Sequence, residues 1–279
     1  MVKHIFTVDL EDWFQLNVKG APDEPEWWRF EPRIETQTSI LLDTFDTYDT
    51  KATFFILGWI AERHKDLTAE IYSRGHEIAT HGYGHKLLSE MESETLAEDL
   101  DKASAAIESA GVSTPVVGYR APSYSLTPET SWAWEVLADK GFRYDASVFP
   151  FRRHCGGWPG APSEPYRPLD GRGLWEIPIP LGSIGPFRFV FSAGGYLRLV
   201  PKRAILACLE RLDRSGKSAV FLIHPRDIDP KAPLPTRSLY LLLRQKSHCG
   251  STLEKLNAVL DNYDFITMRE AVDELERKG

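Results

Sequence analysis

The amino-acid sequence predicts an α/β protein with a mostly parallel sheet, open or closed into a barrel. Two observations carry this expectation. About seven short runs of apolar, β-branched and aromatic residues alternate with stretches of helical periodicity, the pattern of successive βα units. Several of those runs end in a polar residue: Asp9, His81, Arg120, Asp145 and His224. In parallel α/β folds ligands bind at the carboxyl ends of the strands, so the recurrence also marks a candidate site.

The elements read in order as follows. His4–Val8 is a β-rich run that stops at carboxylates. Residues 17–33 are irregular, with Pro22, Pro25 and Pro32 around Trp27 and Trp28. Ile34–Tyr48 has the apolar spacing of an amphipathic helix, and Ala52–Leu57 is continuously apolar, as a buried strand is. Ile60–Tyr72 reads as one helix stopped by Gly75, and Glu77–Thr80 as a strand ending at His81. Ser93–Ala110 is a helix closed by Gly111, and Val116–Tyr119 a strand ending at Arg120. Thr127-Pro128-Glu129 opens a helix that runs to Gly141, and Arg143–Asp145 is a short strand. Residues 149–173 are dense in proline and glycine, a long excursion of the kind that carries function. Trp175–Pro180 and Arg188–Ser192 read as strands, Pro201–Arg211 as a helix, and Ala219–Ile223 as a strand ending at His224. Thr252–Asn262 is a helix, Phe265–Thr267 a last strand and Met268–Arg277 a last helix.

Composition narrows the classes. The 279 residues suit one large α/β domain or two small ones. With 33 basic and 40 acidic residues the chain is net acidic at −7 and has no long basic run, which argues against nucleic acid as a partner. The 42% apolar and 26% charged fractions exclude wholesale disorder. Three widely spaced cysteines form no disulfide framework and fit a reducing compartment. MVKHIFTV gives way to Asp9, Glu11 and Asp12 before reaching the roughly 7–15 apolar residues of a signal peptide. No window approaches the roughly 20 apolar residues of a spanning helix. The expectation is a cytoplasmic protein, working in solution or at the inner membrane face.

Four local patterns carry chemistry. His81-Gly-Tyr-Gly-His85 presents two imidazoles from a glycine-rich loop, which suits a metal and also suits two surface histidines. Asp9, Glu11 and Asp12 crowd the end of the first strand. Such a cluster repels itself unless a cation or arginine offsets it, although carboxylates also gather at helix N-termini. Arg120 ends a strand within Gly118-Tyr-Arg-Ala-Pro-Ser-Tyr124 and can orient a carboxylate or form an ordinary ion pair. His224 leaves a buried strand as a candidate general acid, with Asp145 as a candidate orienting carboxylate.

Together these patterns resemble the polysaccharide deacetylases with a NodB homology domain, carbohydrate esterase family 4. Asp9–Asp12 is similar to the first motif of that family, His81–His85 to the second and Arg120–Tyr124 to the third. Tyr144–Ser147 is similar to the fourth motif and Leu222–His224 to the fifth. Thr53-Phe-Phe55 and Gly75-His-Glu-Ile78 also resemble that domain. VDLEDWF, RAPSY and His224-Pro-Arg-Asp-Ile-Asp229-Pro230 resemble the subgroup from exopolysaccharide loci, which carries a C-terminal extension. The resemblance implies a single-domain, distorted (β/α)7-type barrel, with residues 1–230 as the deacetylase domain and 231–279 as an extension packed on it.

The resemblance further implies a metal-dependent hydrolase that removes the N-acetyl group of an aminosugar in a bacterial polysaccharide or its precursor, free or lipid-linked. A divalent cation, Zn²⁺ first and Co²⁺, Ni²⁺ or Mn²⁺ as alternatives, would be held by His81, His85 and a first-motif carboxylate. The family's adjacent aspartates are absent here, so the ligand is Glu11 if the strand runs on and Asp12 if a turn begins at Leu10. Asp9 is the implied general base, oriented by Arg120. His224 is the implied acid, partnered by Asp145. Tyr124, Trp13 and Trp158 are candidate sugar contacts, with Trp27, Trp28 and Tyr196 as further aromatics in irregular segments. Hydrolysis of a cyclic amide, as in allantoinases, or of a lipid-linked formamido sugar is the alternative reading.

Overall fold

In the computed structural model, residues 2–184, 187–233 and 249–278 are described. The chain runs β1 (His4–Leu10), α1 (Ile34–Thr47), β2 (Thr53–Ile56), α2 (Gly58–Arg63), α3 (Lys65–Ser73), β3 (Glu77–Thr80) and α4 (Ser93–Ser109). It continues through β4 (Gly118–Tyr119), α5 (Ala133–Asp139), β5 (Tyr144–Asp145), β6 (Trp175–Glu176), β7 (Gly182–Ile184) and β8 (Phe187–Phe189). Then come α6 (Gly194–Leu199), α7 (Lys202–Arg214), β9 (Val220–Ile223), α8 (Cys249–Leu260), β10 (Phe265–Ile266) and α9 (Met268–Lys278). The expected β/α alternation is present. Two compact units are interleaved in sequence: Met1–Ala52 with Pro180–Ile266, and Thr53–Ile179 with Thr267–Gly279. Residues 234–248 of the expected C-terminal extension lie outside the described residues.

In the first unit β1 lies between two parallel partners, β9 (Ile5↔Val220 to Val8↔Ile223) and β10 (His4↔Phe265). All seven β1 residues are buried, which is why HIFTVDL reads as a continuous run rather than an alternating one. Thr7, a polar residue inside that strand, donates its hydroxyl to Phe221 O at 2.7 Å. Phe6 meets Phe45, Phe221 and Phe265 with ring centroids 5.0, 5.9 and 5.3 Å apart. Phe45 belongs to the α1 stripe Ile34, Gln37, Thr38, Leu41, Leu42 and Phe45, whose helical period places one face on the strands. Truncating Phe6 would cost about 3–5 kcal/mol. β7 and β8 pair antiparallel where the sequence predicts a single strand over Arg188–Ser192.

In the second unit β2, β3, β4, β5 and β6 pair in that order, all parallel. The register sets Thr53 beside Glu77, Gly118 beside Tyr144, and Asp145 beside Glu176. A Cβ on Gly118 would lie 2.0 Å from Tyr144 Cζ, so glycine here lets the tyrosine cross β4. The Tyr144 hydroxyl then donates to Glu77 Oε1 at 2.8 Å, while Thr53 Oγ1 (2.6 Å) and the Arg269 amide (2.9 Å) donate to Glu77 Oε2. Burial raises the Glu77 pKa against these donors.

Local differences from the sequence reading have physical causes. The helix expected over Ile60–Tyr72 is two helices, because His64 leaves the helical region at φ −118°, ψ 55°. Its amide still reaches Ile60 O at 2.7 Å, and its carbonyl starts a new ladder by accepting from Thr68 N at 3.1 Å. A one-residue break leaves apolar spacing unchanged. The helix expected from Thr127 begins as a 3₁₀ turn over Pro128–Thr130, with the Thr130 hydroxyl accepting from Thr127 N at 2.9 Å. Residues 149–173 contain no helix or strand beyond a bridge at Tyr166, and are pinned by Gly157 N to Tyr124 O at 3.0 Å.

Candidate active site

In the first unit the site forms at the carboxyl ends of the adjacent strands β1 and β9. Asp9 stands near the end of β1 and Glu11 just beyond it, with the Glu11 amide turned back onto Asp9 O at 3.0 Å. His224 follows β9. Its Nε2 lies 3.9 Å from Asp9 Oδ2 and 3.9 Å from Glu11 Oε1. Each of the three offers a ligand atom within 4.8 Å of the other two, and Asp9 and Glu11 are buried. Arg226 pairs with Glu11 Oε2 and offsets part of the negative charge.

Asp12 has a different role. Its carboxylate accepts the amides of Trp13 (2.7 Å), Arg33 (2.8 Å) and Ile34 (3.2 Å). Arg33 and Ile34 open α1, where helical amides lack partners, so Asp12 closes that end from outside the helix. Arg33 in turn pairs with Asp229 through Nε (2.5 Å) and Nη2 (3.1 Å). With its oxygens occupied by amides, Asp12 is a poorer ligand than Glu11.

The Nδ1 of His224 is 2.9 Å from Asp227 Oδ2, not partnered by Asp145 as the sequence suggested. Asp227 is three residues on, within a single 3₁₀ turn over Pro225–Ile228, and its amide bonds His224 O at 2.8 Å. Its other oxygen meets Arg198 Nη1 at 2.8 Å, with both side chains 3% exposed. Burial alone would raise the Asp227 carboxyl, but Arg198, His224 and Arg226 outweigh it and hold it well below the ordinary carboxylate range. Sequence reasoning missed Asp227 and Arg198. The His-Pro-x-Asp spacing of a capped turn was the available signal for Asp227.

In the second unit His81 follows β3, and its amide bonds Ile56 O at 2.9 Å. His81 Nδ1 lies 2.7 Å from the Arg120 carbonyl. A carbonyl only accepts, so Nδ1 carries the proton and Nε2 keeps its lone pair, the tautomer of a metal-ligating histidine. The His85 ring is 5.3 Å from that of His81 at 57°. The loop between them is held by Asp99, which accepts the Tyr83 amide at 2.8 Å. A Cβ on Gly82 would sit 2.7 Å from Asp99 Oδ2, so the first glycine of the motif is required. His85, Ser123 and Tyr124 have φ of 54°, 55° and 53°, a left-handed conformation that costs a non-glycine residue about 1–3 kcal/mol and gathers at functional sites.

Arg120 is fully buried, with Nε on Ala146 O at 3.1 Å and its guanidinium 4.0 Å over the Phe55 ring. Asp145 is also fully buried; it bonds the Ser147 hydroxyl and accepts Trp134 Nε1 at 2.9 Å. Burial raises both Asp145 and Glu176, and the hydrogen bond between them pulls Asp145 down while it pushes Glu176 further up. Trp13 packs edge-on against Phe14 and Phe30 and donates Nε1 to Glu31 O at 3.1 Å. Trp158 stacks on Trp134 at 5.6 Å, and Tyr124 packs on Phe149 at 5.2 Å. Trp27 is buried, whereas Trp28 is 71% and Tyr196 37% exposed.

Each unit thus carries ionisable side chains where its parallel strands end: Asp9 and His224 in the first, His81 in the second. Comparison with known proteins is more specific. Residues 24–144 match the polysaccharide deacetylase family model, and residues 146–273 match a domain of unknown function (DUF3473). The chain thus carries a polysaccharide deacetylase domain followed by a DUF3473 region. It is 37% identical over 98 residues to the peptidoglycan deacetylase-like protein FGM2 of Gibberella zeae, covering 35% of this chain and 28% of that one. It is 34% identical over 65 residues to the peptidoglycan-N-acetylglucosamine deacetylase of Bacillus cereus, covering 23% and 30%. These matches span less than a third of either relative's length. A crystal structure described as a "putative polysaccharide deacetylase" from Mycobacterium smegmatis superposes with a TM-score of 0.67 and 22% identity, over 99% of this chain and 90% of that chain. That likeness bears out the expected (β/α)7 NodB-type fold. Among the described residues no helix is long and apolar enough to cross a membrane.

Proposed function

We propose that this protein is a metal-dependent N-deacetylase acting on an N-acetylated aminosugar of a bacterial polysaccharide or its precursor, free or lipid-linked. The observation that carries the reading is the convergence of Asp9, Glu11 and His224 at the ends of β1 and β9. This proximity supports reading Asp9 as the carboxylate base and His224 as the imidazole acid acting on one reacting group. The residues also suit a divalent cation, Zn²⁺ first, with Co²⁺, Ni²⁺ or Mn²⁺ as alternatives: His81 is fixed in the ligand tautomer, His85 shares its loop, and Glu11 is the better first-motif carboxylate. Once bound, the cation would polarise the acetamide carbonyl and acidify a water.

The chain's own residues supply the proton transfers. Asp9 accepts the proton of the attacking water. Arg120 is assigned to orienting that base. A backbone amide near Tyr124 donates to the developing oxyanion. His224 acts as the imidazolium: Nδ1 keeps its proton while Nε2 delivers the second one to the departing amine, giving acetate and the free aminosugar. Removing Asp9 or His224 should cost about 10²–10⁴-fold in rate. Trp13, Trp158 and Tyr124 are carried in this proposal as sugar contacts.

The test combines metal analysis of the purified protein with acetate release from N-acetylated oligosaccharides, using cyclic amides and formamides as controls. Loss of both metal and acetate release in His81→Ala and in His85→Ala is the expected result. Undiminished acetate release from a folded, metal-free double variant would overturn the reading. Turnover of cyclic amides without acetate release would instead assign the chain to the other hydrolases of this fold.

A further inference from the structure

We propose that Asp227 and Arg198 are positioning residues that fix the ring of His224 in one orientation with the proton on Nδ1, so that the acid of the reaction is assembled within the region matched to a domain of unknown function. The inference rests on the deacetylase reading for the role of His224 but not for its geometry. Asp227 Oδ2 accepts both the His224 backbone amide and Nδ1, each at 2.9 Å, while the Asp227 amide returns to His224 O at 2.8 Å. The residue is therefore clamped at backbone and ring together. An ionised carboxylate has no proton to give, so Nδ1 is the donor and Nε2 is the nitrogen left facing Asp9 and Glu11 at 3.9 Å.

Arg198 holds the carboxylate in turn. Its Nη1 lies 2.8 Å from Asp227 Oδ1, and the pair is almost wholly buried. A buried ion pair is weak evidence for stability, since desolvation offsets much of the attraction, and a registry role accounts for it better. Arg198 is carried on α6, and the end of that helix is itself anchored. The Lys255 ammonium on α8 donates to Leu197 O at 3.2 Å, to Arg198 O and to Val200 O at 2.9 Å. Gly194, at the start of α6, lies against the same edge of the histidine ring. A Cβ there would lie 3.1 Å from His224 Cε1 and 3.3 Å from Nδ1. Asp227 and Gly194 border the ring, Arg198 holds Asp227, Lys255 holds the end of the Arg198 helix, and all four fall within residues 146–273.

The experiment is two-bond ¹⁵N–¹H correlation on histidine-labelled protein at a pH where His224 is neutral, with His224→Gln identifying its signals. The wild type should show His224 as the Nδ1–H tautomer. Asp227→Asn, whose amide can donate to Nδ1, should move it to Nε2–H and lower kcat by about 10²–10⁴-fold with little change in KM. Arg198→Lys, which keeps the positive charge, should retain the wild-type tautomer and most of kcat, whereas Arg198→Met should lose both in part. If Asp227→Asn fails to fold, the two Arg198 variants decide the matter alone. An unchanged tautomer in folded Asp227→Asn, or Arg198→Met indistinguishable from wild type in tautomer and kcat, would overturn the proposal. A wild type that shows the Nδ1–H tautomer but releases no acetate from any substrate would overturn the deacetylase reading and leave the clamp standing.

Discussion

The Asp12 carboxylate closes the N-terminal end of α1 by accepting the Arg33 amide at 2.8 Å, across 21 residues of sequence. This separates two acidic neighbours that the sequence left equivalent. Asp12→Ala should lower stability by about 1 kcal/mol, the usual worth of a helix N-terminal cap, and should leave bound metal unchanged. Glu11→Ala should lose metal. Denaturant melts and metal content of both variants check the pair, and an Asp12→Ala protein with wild-type stability and no metal would reverse the assignment.

The Glu176 and Asp145 carboxyls share a hydrogen bond in a fully buried pair. Burial, and then the Asp145 charge, raise the folded pKa of Glu176 above the ordinary 4.5. A raised folded pKa gives stability that is complete below the unfolded value and lost as pH rises through the folded one. The melting temperature should therefore fall on the alkaline side. Glu176→Gln, a neutral isostere that can also donate to Asp145, should flatten that fall. Melting curves from pH 5 to pH 9 provide the check, and equal alkaline slopes in the two proteins would count against a shared proton.

His4 shows the opposite sign. Burial lowers its pKa from 6.5 to about 4 against the pull of Asp213, and its Nδ1 accepts the Ala219 amide at 3.0 Å. The unfolded chain takes up this proton first, so stability is complete above pH 6.5 and declines as pH falls toward 4. The loss is about 3 kcal/mol across that window. His4→Asn, which keeps an acceptor for Ala219, should be less stable than wild type at pH 7 and lose less on acidification. Urea unfolding at pH 7 and pH 4.5 measures both effects.

The parallel alternation was legible because a buried parallel strand is an unbroken apolar run, as in Thr53–Ile56 and Val220–Ile223, and each helix repeats its apolar face. The strand-end residues Asp9, His81 and His224 were legible for the same reason, since polarity begins where such a run stops. What escaped the reading depends on distance or brevity. The Arg198 helix has six residues and opens with two glycines, too little for any period to register. Asp227 was hidden in a turn beside a more visible candidate, Asp145, whose carboxylate is bonded to Ser147 and Trp134. The capping role of Asp12 could not be read locally, because its helix begins far along the chain.

The interleaving of the first unit sets a schedule for biosynthesis. Thr7 and its partner Phe221 are 214 residues apart. At the usual 5–20 residues per second of translation, β1 therefore waits on the order of 10–40 s for β9 to be made. Throughout that interval an apolar heptapeptide with both hydrogen-bonding edges open is exposed to the cell, the kind of segment that aggregates. The nascent chain should consequently depend on holding chaperones for longer than its modest size suggests. Circular permutation that begins the chain at Pro180, so that β9 is made before β1, should shorten the wait.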